Sequence, residues 1–562
     1  MVAPALVLGP LLRHVDATSA AVWVETAATA VVTVRAAGRS WPARTFAAHG
    51  HHYALVHVDE LAPGTVTPYT VDIDDEEVWP PANWRFPASA ITTLTPGAPM
   101  RIGFGSCRTS VPHDAGGNHS HGVDALRTFA VQMAARPGRF SWPDLVLFLG
   151  DQVYADTTSE AMQEFIRARR DPGEPPGEEL ADFEEYAHLY GLAWSDPANR
   201  WLLSTVPTAM IFDDHDIRDD WNASLSWKRE MEQTSWWHQR LVAGLASYWL
   251  YQHLGNLSPA ERARDELWRL IDAHDDDTEL DLSDRLDRFA ERADADPTSY
   301  RWSYCRDHGD SRLIVVDSRA ARVLDPDRRA LIDEDESAWL DERMRGGFRH
   351  LLVGTSLPFL LPTGLHHLES WNEATAEGAW GEWMAGVSEK LRQALDLEHW
   401  AAFQTSFRRV ARMVTEVADG RRGPAPESIV FLSGDVHYSY IAEVQRASGS
   451  RIIQAVCSPI RNPLALPLRS FSAVLSYAIA NRPSELLARS AGVRALPLRW
   501  RGIRGPWFDN CLASVAETPR GLRLRWITGA IRNGDETHPE LQTIADVTLQ
   551  PRPNRPDAGR AR

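Results

Sequence analysis

Three apolar runs in this chain end on the same kind of residue, and that recurrence narrows the fold more than any other feature. Residues 145–149 run into Gly150-Asp151, with Tyr154 three positions on. Residues 209–212 open into Asp213, Asp214, His215, Asp216, Asp219 and Asp220, and residues 429–432 lead through Ser433-Gly434 to Asp435 and His437. Short apolar runs bounded in this way read as strands buried on both faces. Five carboxylates and one histidine within eight residues repel one another unless a cation or solvent absorbs the charge. A solvated acidic loop would explain one such segment. Three strand exits delivering Asp, His or Tyr describe instead a metal site at the edge of an α/β sheet.

A chain of 562 residues can bury a large core and should hold more than one domain. Its 44% hydrophobic and 24% charged content is that of a soluble globular protein. The net charge of −17, from 76 acids against 59 bases, argues against a nucleic-acid-binding surface and suits an anionic membrane poorly. A phosphate-ester substrate would therefore need positive charge from the site itself, for which bound metal is the natural source. No window approaches the ~18 apolar residues of a membrane span. Cys107, Cys305, Cys457 and Cys511 are too few and too scattered for a disulfide framework. With no basic, apolar leader or twin-arginine pair in view, the expectation is a cytoplasmic protein.

Residues 1–97 read as an all-β domain, with short, partly alternating, β-branched segments at 20–25, 31–35, 53–58 and 69–73. The turn at 61–65 leading into Tyr69 resembles the corner of immunoglobulin-like and fibronectin-like sandwiches. Such a domain either shapes the substrate site, binds a partner or simply packs on the core. Residues 98–550 read as an α/β domain with a helical insertion at about 157–300. Strands are expected at 100–107, 312–317, 350–355 and 522–527, and helices at 123–135, 387–417 and 470–487. The proline- and arginine-rich tail, 551–562, is expected to be disordered.

In order, Gly105-Ser106-Cys107, Gly150-Asp151 with Tyr154, Asp214-His215-Asp216, and Gly434-Asp435 with His437 resemble the motif series of the calcineurin-like metallophosphoesterases. More narrowly they resemble the alkaline phosphatase D (PhoD-type) branch, over about residues 100–460. Cys107 stands for the usual first ligand, Asp214 for an asparagine and Asp435 for a histidine, departures the branch shares. The resemblance implies an αββα four-layer sandwich of mixed sheets, a ferric and a calcium ion, and hydrolysis of phosphodiesters, phosphomonoesters or both.

The residues make chemical sense on their own. The thiolate, phenolate, carboxylate and imidazole of Cys107, Tyr154, Asp151 and His437 suit a strongly Lewis-acidic transition metal, ferric iron above others. Asp214 and Asp435, with Asp151 bridging, form an oxygen-rich site for Ca2+, or for Mn2+ or Mg2+, with Asp220 close enough to add a ligand. Two metals about 3.5–4 Å apart would hold a bridging hydroxide for in-line attack on phosphorus. His215, held by Asp216, would protonate the leaving alkoxide. Arg108 and Arg319 are candidates to touch a substrate phosphate, although Arg319 could instead pair with Asp317 or Asp325. The superfamily's usual histidine at a further strand end is missing: that end reads Gly354-Thr355-Ser356, and His366 and His367 follow only later. The alternative function is a non-catalytic, metal-containing scaffold that recognises a partner through its β-sandwich.

Overall fold

The structure is a computed structural model that describes residues 5–135, 142–276, 278–463 and 481–551. Near the N-terminus two antiparallel sheets face each other. One is formed by Leu6–Val15, Ala20–Thr26, His51–Val58 and Phe46–Ala48 in that spatial order; the other by Arg39–Arg44, Val31–Ala36, Val66–Ile73 and Glu76–Trp79, with Ala90–Thr92 added along Val66–Ile73. Their shared core includes Val22, Val24, Val32, Val34, Val56, Val71 and Trp79. Strand Ala20–Thr26 is buried along its whole length because its two faces enter different cores. Val22 and Val24 point into the sandwich, while Ala21 and Trp23 pack on the main body. The expected tyrosine corner is put to another use: the Tyr69 hydroxyl donates to the carbonyl of Ser204, 2.7 Å away in the following α/β region.

The main body carries two larger mixed sheets. The first runs Thr208–Ile211, Leu145–Leu149, Arg101–Gly105, Leu512–Thr518, Gly521–Ala530, Glu540–Leu549. Its first three strands are parallel and the rest antiparallel. The second runs Tyr304–His308, Ser311–Val316, His350–Thr355, Ser428–Ser433, Arg451–Val456, Ser439–Val444, Trp500–Trp507. The alternation argument applies again. Leu313, Val315, Leu352, Val430 and Leu432 face the first sheet, whereas Ile314, Val316, Leu351, Val353 and Phe431 face outward to Phe407, Val410 and Val414 of helix Gln404–Ala418. Helix Ala125–Ala135 covers the far side of the first sheet. The result is a four-layer α/β sandwich of mixed sheets, with helices between Leu145–Leu149 and Thr208–Ile211 and again after Thr208–Ile211.

Two elements differ from the sequence expectation. The helix expected over 387–417 is two helices, Glu382–Ala394 and Gln404–Ala418, separated by a segment that turns through Trp400–Ala402. No glycine or proline interrupts 395–403, so the break carries no local signal. It is fixed by long-range ion pairs of Glu398 with Arg319 and Arg322. Residues 464–480 and the tail from 552 lie outside the described residues, while helix Asn481–Ser490 is in place. Among the described residues no helix is long and apolar enough to cross a membrane.

Candidate metal centre

Because Arg101–Gly105, Leu145–Leu149 and Thr208–Ile211 are parallel neighbours, their C-terminal ends open on one edge of the first sheet. Strand Ser428–Ser433 of the second sheet delivers its exit to the same place. Gly434 lies so close to Ser106 that a Cβ there would stand 2.0 Å from the Ser106 hydroxyl oxygen. The backbone N–H of Asp435 donates to that hydroxyl, and the N–H of Cys107 to the carbonyl of Gly150. Seven of the thirteen described non-glycine residues with positive φ are here: Cys107, Asp151, Asp220, Asn222, Asp396, Asp435 and His437. Strained backbone is thus concentrated where the strand exits converge.

Ligand atoms of Cys107, Asp151 and His437 lie within 4.8 Å of one another, and the same holds for Asp151, Asp214 and His215, for Asp213, Asp214 and Asp435, and for Asp219, Asp220 and Asp396. Asp151, shared by the first two groups, and Asp214, shared by the second and third, join them into one continuous set. Tyr154 joins it, its hydroxyl 3.4 Å from Asp151 Oδ2. The donors fit metal ions on two counts. Asp151 Oδ1, Asp213 Oδ2, Asp220 Oδ1 and Asn222 Oδ1 are buried oxygens without a hydrogen-bond donor, and such oxygens cost energy unless a cation or proton satisfies them. Burial, with Asp151 and Asp435 alongside, drives the Cys107 thiol far above its ordinary range, so a thiolate there needs a cation. Asp220 is pushed up to about 9 by burial and by Glu398 and Asp219.

Three of the expected residue roles need correction. His215 is not held by Asp216: its Nδ1 lies 2.9 Å from Asp156. Burial opposes charge on His215, but Asp156 and Asp214 outweigh it and hold the imidazolium well above the usual histidine range. Asp216 accepts instead from the backbone N–H groups of Asp151 and Asp213, both at 2.9 Å, and from Gln252. Arg319 is fully buried and pairs with Asp213, Asp214, Glu398 and Asp435, so it braces these carboxylates and offers no exposed surface to a substrate phosphate. Arg108, 3% exposed, is spent on Asp124 and the carbonyl of Ala193.

Sequence reasoning missed Asp156, Glu369, Glu398 and His399. His399 places Nδ1 2.8 Å from Glu369 and Nε2 2.8 Å from Asp435. Neither later histidine takes the vacant place at the strand end. His366 is a core residue packed on Phe407 and Trp500, and His367 does not join the ligand groups. At that strand end the Ser356 carbonyl accepts from the N–H of Gly434, and its hydroxyl pairs with Ser318. Only the spacing Asp151 to Asp156, on the same loop as Tyr154, offered a local clue.

The solved structure of PhoD is similar across 97% of this chain and 90% of its own, at 14% identity and a TM-score of 0.58. That likeness establishes a shared fold. The purple acid phosphatase PPD1 from yellow lupin (Lupinus luteus) seeds aligns over 94% of this chain and 72% of its own, at 11% identity and a TM-score of 0.48. No curated protein sequence matches the chain. Residues 3–91 match a domain of unknown function (DUF7800). Residues 126–487, more than half of the chain and three of its four motif exits, match the model of the PhoD-like phosphatases, and the chain belongs to that family.

Proposed function

We propose that this protein is a metal-dependent phosphoesterase that cleaves phosphodiesters and phosphomonoesters at the edge where the four strand exits meet. The observation that carries the reading is one continuous donor set, with buried oxygens lacking donors, bordered by a histidine held on its own carboxylate. Cys107, Asp151, Tyr154 and His437 would hold ferric iron, whose preference for thiolate and phenolate they match. Asp213, Asp214 and Asp435, with Asp151 shared, would hold a hard cation, calcium first. Bound cations would supply the Lewis acidity that activates water for in-line attack on phosphorus.

The chain's own residues do the rest. With Nδ1 on Asp156 and Nε2 3.8 Å from Asp219, beyond hydrogen-bond reach, His215 would donate its Nε2 proton to the leaving oxygen, and its side chain is 22% exposed. Arg319, Arg322 and Glu398 hold Asp213, Asp214 and Asp435 in place from below. The test is hydrolysis of a chromogenic phosphodiester and its monoester, with and without calcium, by the wild type and Asp151→Asn. Turnover that falls by ~10²-fold or more in the variant is expected; a loss of less than tenfold sinks the reading. Fresh protein should also absorb visible light through Tyr154 on ferric iron, and a colourless protein with stoichiometric iron contradicts that ligand.

A further inference from the structure

Helices Glu382–Ala394 and Asn481–Ser490 both pack on helix Thr363–Ala376. Their inward faces share a small apolar core of Trp371, Ala488 and Ala491, with Leu391 and Leu487 against it. Their outward faces carry a different pattern. At helical spacing, Trp383, Val387 and Lys390 line one helix and Arg482, Leu486 and Arg489 the other, and all six are exposed. Trp383 is 79% and Leu486 67% exposed. Trp380, also exposed, joins the two faces: its indole N–H donates to the Ser490 carbonyl, 3.3 Å away. Of the nine large apolar side chains exposed among the described residues, five are here: Trp380, Trp383, Val387, Leu395 and Leu486. Single exposed apolar residues are ordinary, but such a concentration on one small unit marks an interaction surface.

The charge beside them is equally uneven. The chain carries −17 overall, yet residues 481–507 hold six arginines, all exposed, against one carboxylate, Glu485, which pairs with Arg489. Lys390 adds a seventh exposed cation, and Glu377 and Glu382 are the exposed acids nearby. Beyond about 10 Å the chain's other acids are screened, so the local balance decides what this face attracts. We propose that the face docks on an anionic lipid bilayer, with Trp380, Trp383, Val387 and Leu486 at headgroup level and Lys390, Arg482 and Arg489 on lipid phosphates. A fluid interface closes around side chains that stand this clear of the surface, where a rigid partner would need a pocket for each. Glu389 ties helix Glu382–Ala394 to Ser224 and Ser226, just past the loop of Asp219 and Asp220, so a docked bilayer lies beside the metal centre. The docking stands independently of the activity proposed above.

The whole chain would be mixed with vesicles of phosphatidylcholine alone and of equal parts phosphatidylcholine and phosphatidylglycerol, at low and at high salt, and the sedimenting fraction measured. Wild type should sediment with the anionic vesicles only, and lose that binding at high salt. Arg482→Gln combined with Arg489→Gln should weaken partitioning ~5-fold per charge, about 25-fold together. Trp383→Ser should weaken it ~10-fold or more. Val66→Ser, which removes an exposed apolar side chain from the β-sandwich, should leave it unchanged. All four positions are exposed, so folding is not at risk. No sedimentation with anionic vesicles, equal binding to the neutral ones, or binding undiminished in both patch variants overturns the proposal. So does a wild type that is dimeric in solution and becomes monomeric in Trp383→Ser, which would give the face to a second copy of the chain.

Discussion

At the scale of single residues, His215 and Asp216 show why sequence neighbours need not be partners. They lie in the short 3-10 turn Asp214–Asp216, where successive side chains project about 120° apart. The carboxylate behind the ring therefore had to come from elsewhere, and Asp156 supplies it while also accepting from the backbone N–H of Asp219. Asp216 faces the other way and ties the Asp151 and Asp213 backbones together. The two carboxylates should thus fail differently. Asp156→Asn is expected to lower kcat ~10–100-fold with KM and the melting temperature nearly unchanged, because the amide oxygen can still accept from the Asp219 N–H while the charge behind the proposed proton donor is lost. Asp216→Asn should cost about 1–3 kcal/mol of stability, since buried N–H groups lose their acceptor, and should lower metal content as the loops separate. Steady-state kinetics beside chemical denaturation checks both. The candidate ligand residues were legible because chemistry and strand context coincided in sequence. Their supports, Asp156, Glu398 and His399, were not, because nothing local distinguishes a buried carboxylate from a solvated one.

At the scale of elements, the strands were more legible than the segments between them. An apolar run ending in Gly-Asp carries its own signal, and Leu145–Leu149 and Ser428–Ser433 lie where that signal puts them. Strand Leu512–Thr518, which sits between Arg101–Gly105 and Gly521–Ala530, carried none, since its place is decided by pairing partners some 400 residues away in sequence. Gly434 has a clear structural duty. Its φ is not in the left-handed region, yet a Cβ would meet Ser106 Oγ at 2.0 Å, Ser106 Cβ at 2.3 Å and the Leu149 carbonyl at 3.1 Å. The glycine is there because the exits of two different sheets close on each other at this point. Gly434→Ala should accordingly cost about 1–3 kcal/mol or more, as overpacking against backbone does, and should displace Asp435 from the ligand set. Denaturant melts together with metal counts would register both effects. A variant with wild-type stability and metal content would mean that Ser106 yields without disturbing the loop.

At the scale of the whole molecule, the sandwich, the first sheet and the helical insertion meet over a buried polar seam. Arg13 reaches from the sandwich to Thr208 Oγ1 at 3.0 Å and to the carbonyl of Gln252, and Tyr53 and Tyr251 share a hydrogen bond at 3.0 Å. Next to Gln252, His253 is fully buried among Tyr248, Tyr300 and Trp302, and neither ring nitrogen has a hydrogen-bond partner. Burial first, and then Arg13, lower its pKa to about 3. In the unfolded chain the same ring titrates near ~6.5. Between pH 6.5 and 3 the unfolded state therefore binds a proton that the folded state refuses, so this residue's contribution falls as pH falls. The loss is about 1.4 kcal/mol per pH unit, or about 2 kcal/mol at pH 5. Buried carboxyls such as Glu373, pushed up to about 7 chiefly by burial, act in the opposite sense over part of that range. The net acid response of the wild type alone is therefore not diagnostic. The difference between wild type and His253→Phe is. Whatever the substitution does to packing at pH 7.5, the stability of the variant relative to wild type should rise by about 1.4 kcal/mol per pH unit on going below 6.5. Urea melts at pH 7.5, 6 and 5 measure that difference. A gap that stays constant with pH would mean that the ring is charged in the folded seam, and that the Arg13 junction opens to admit water.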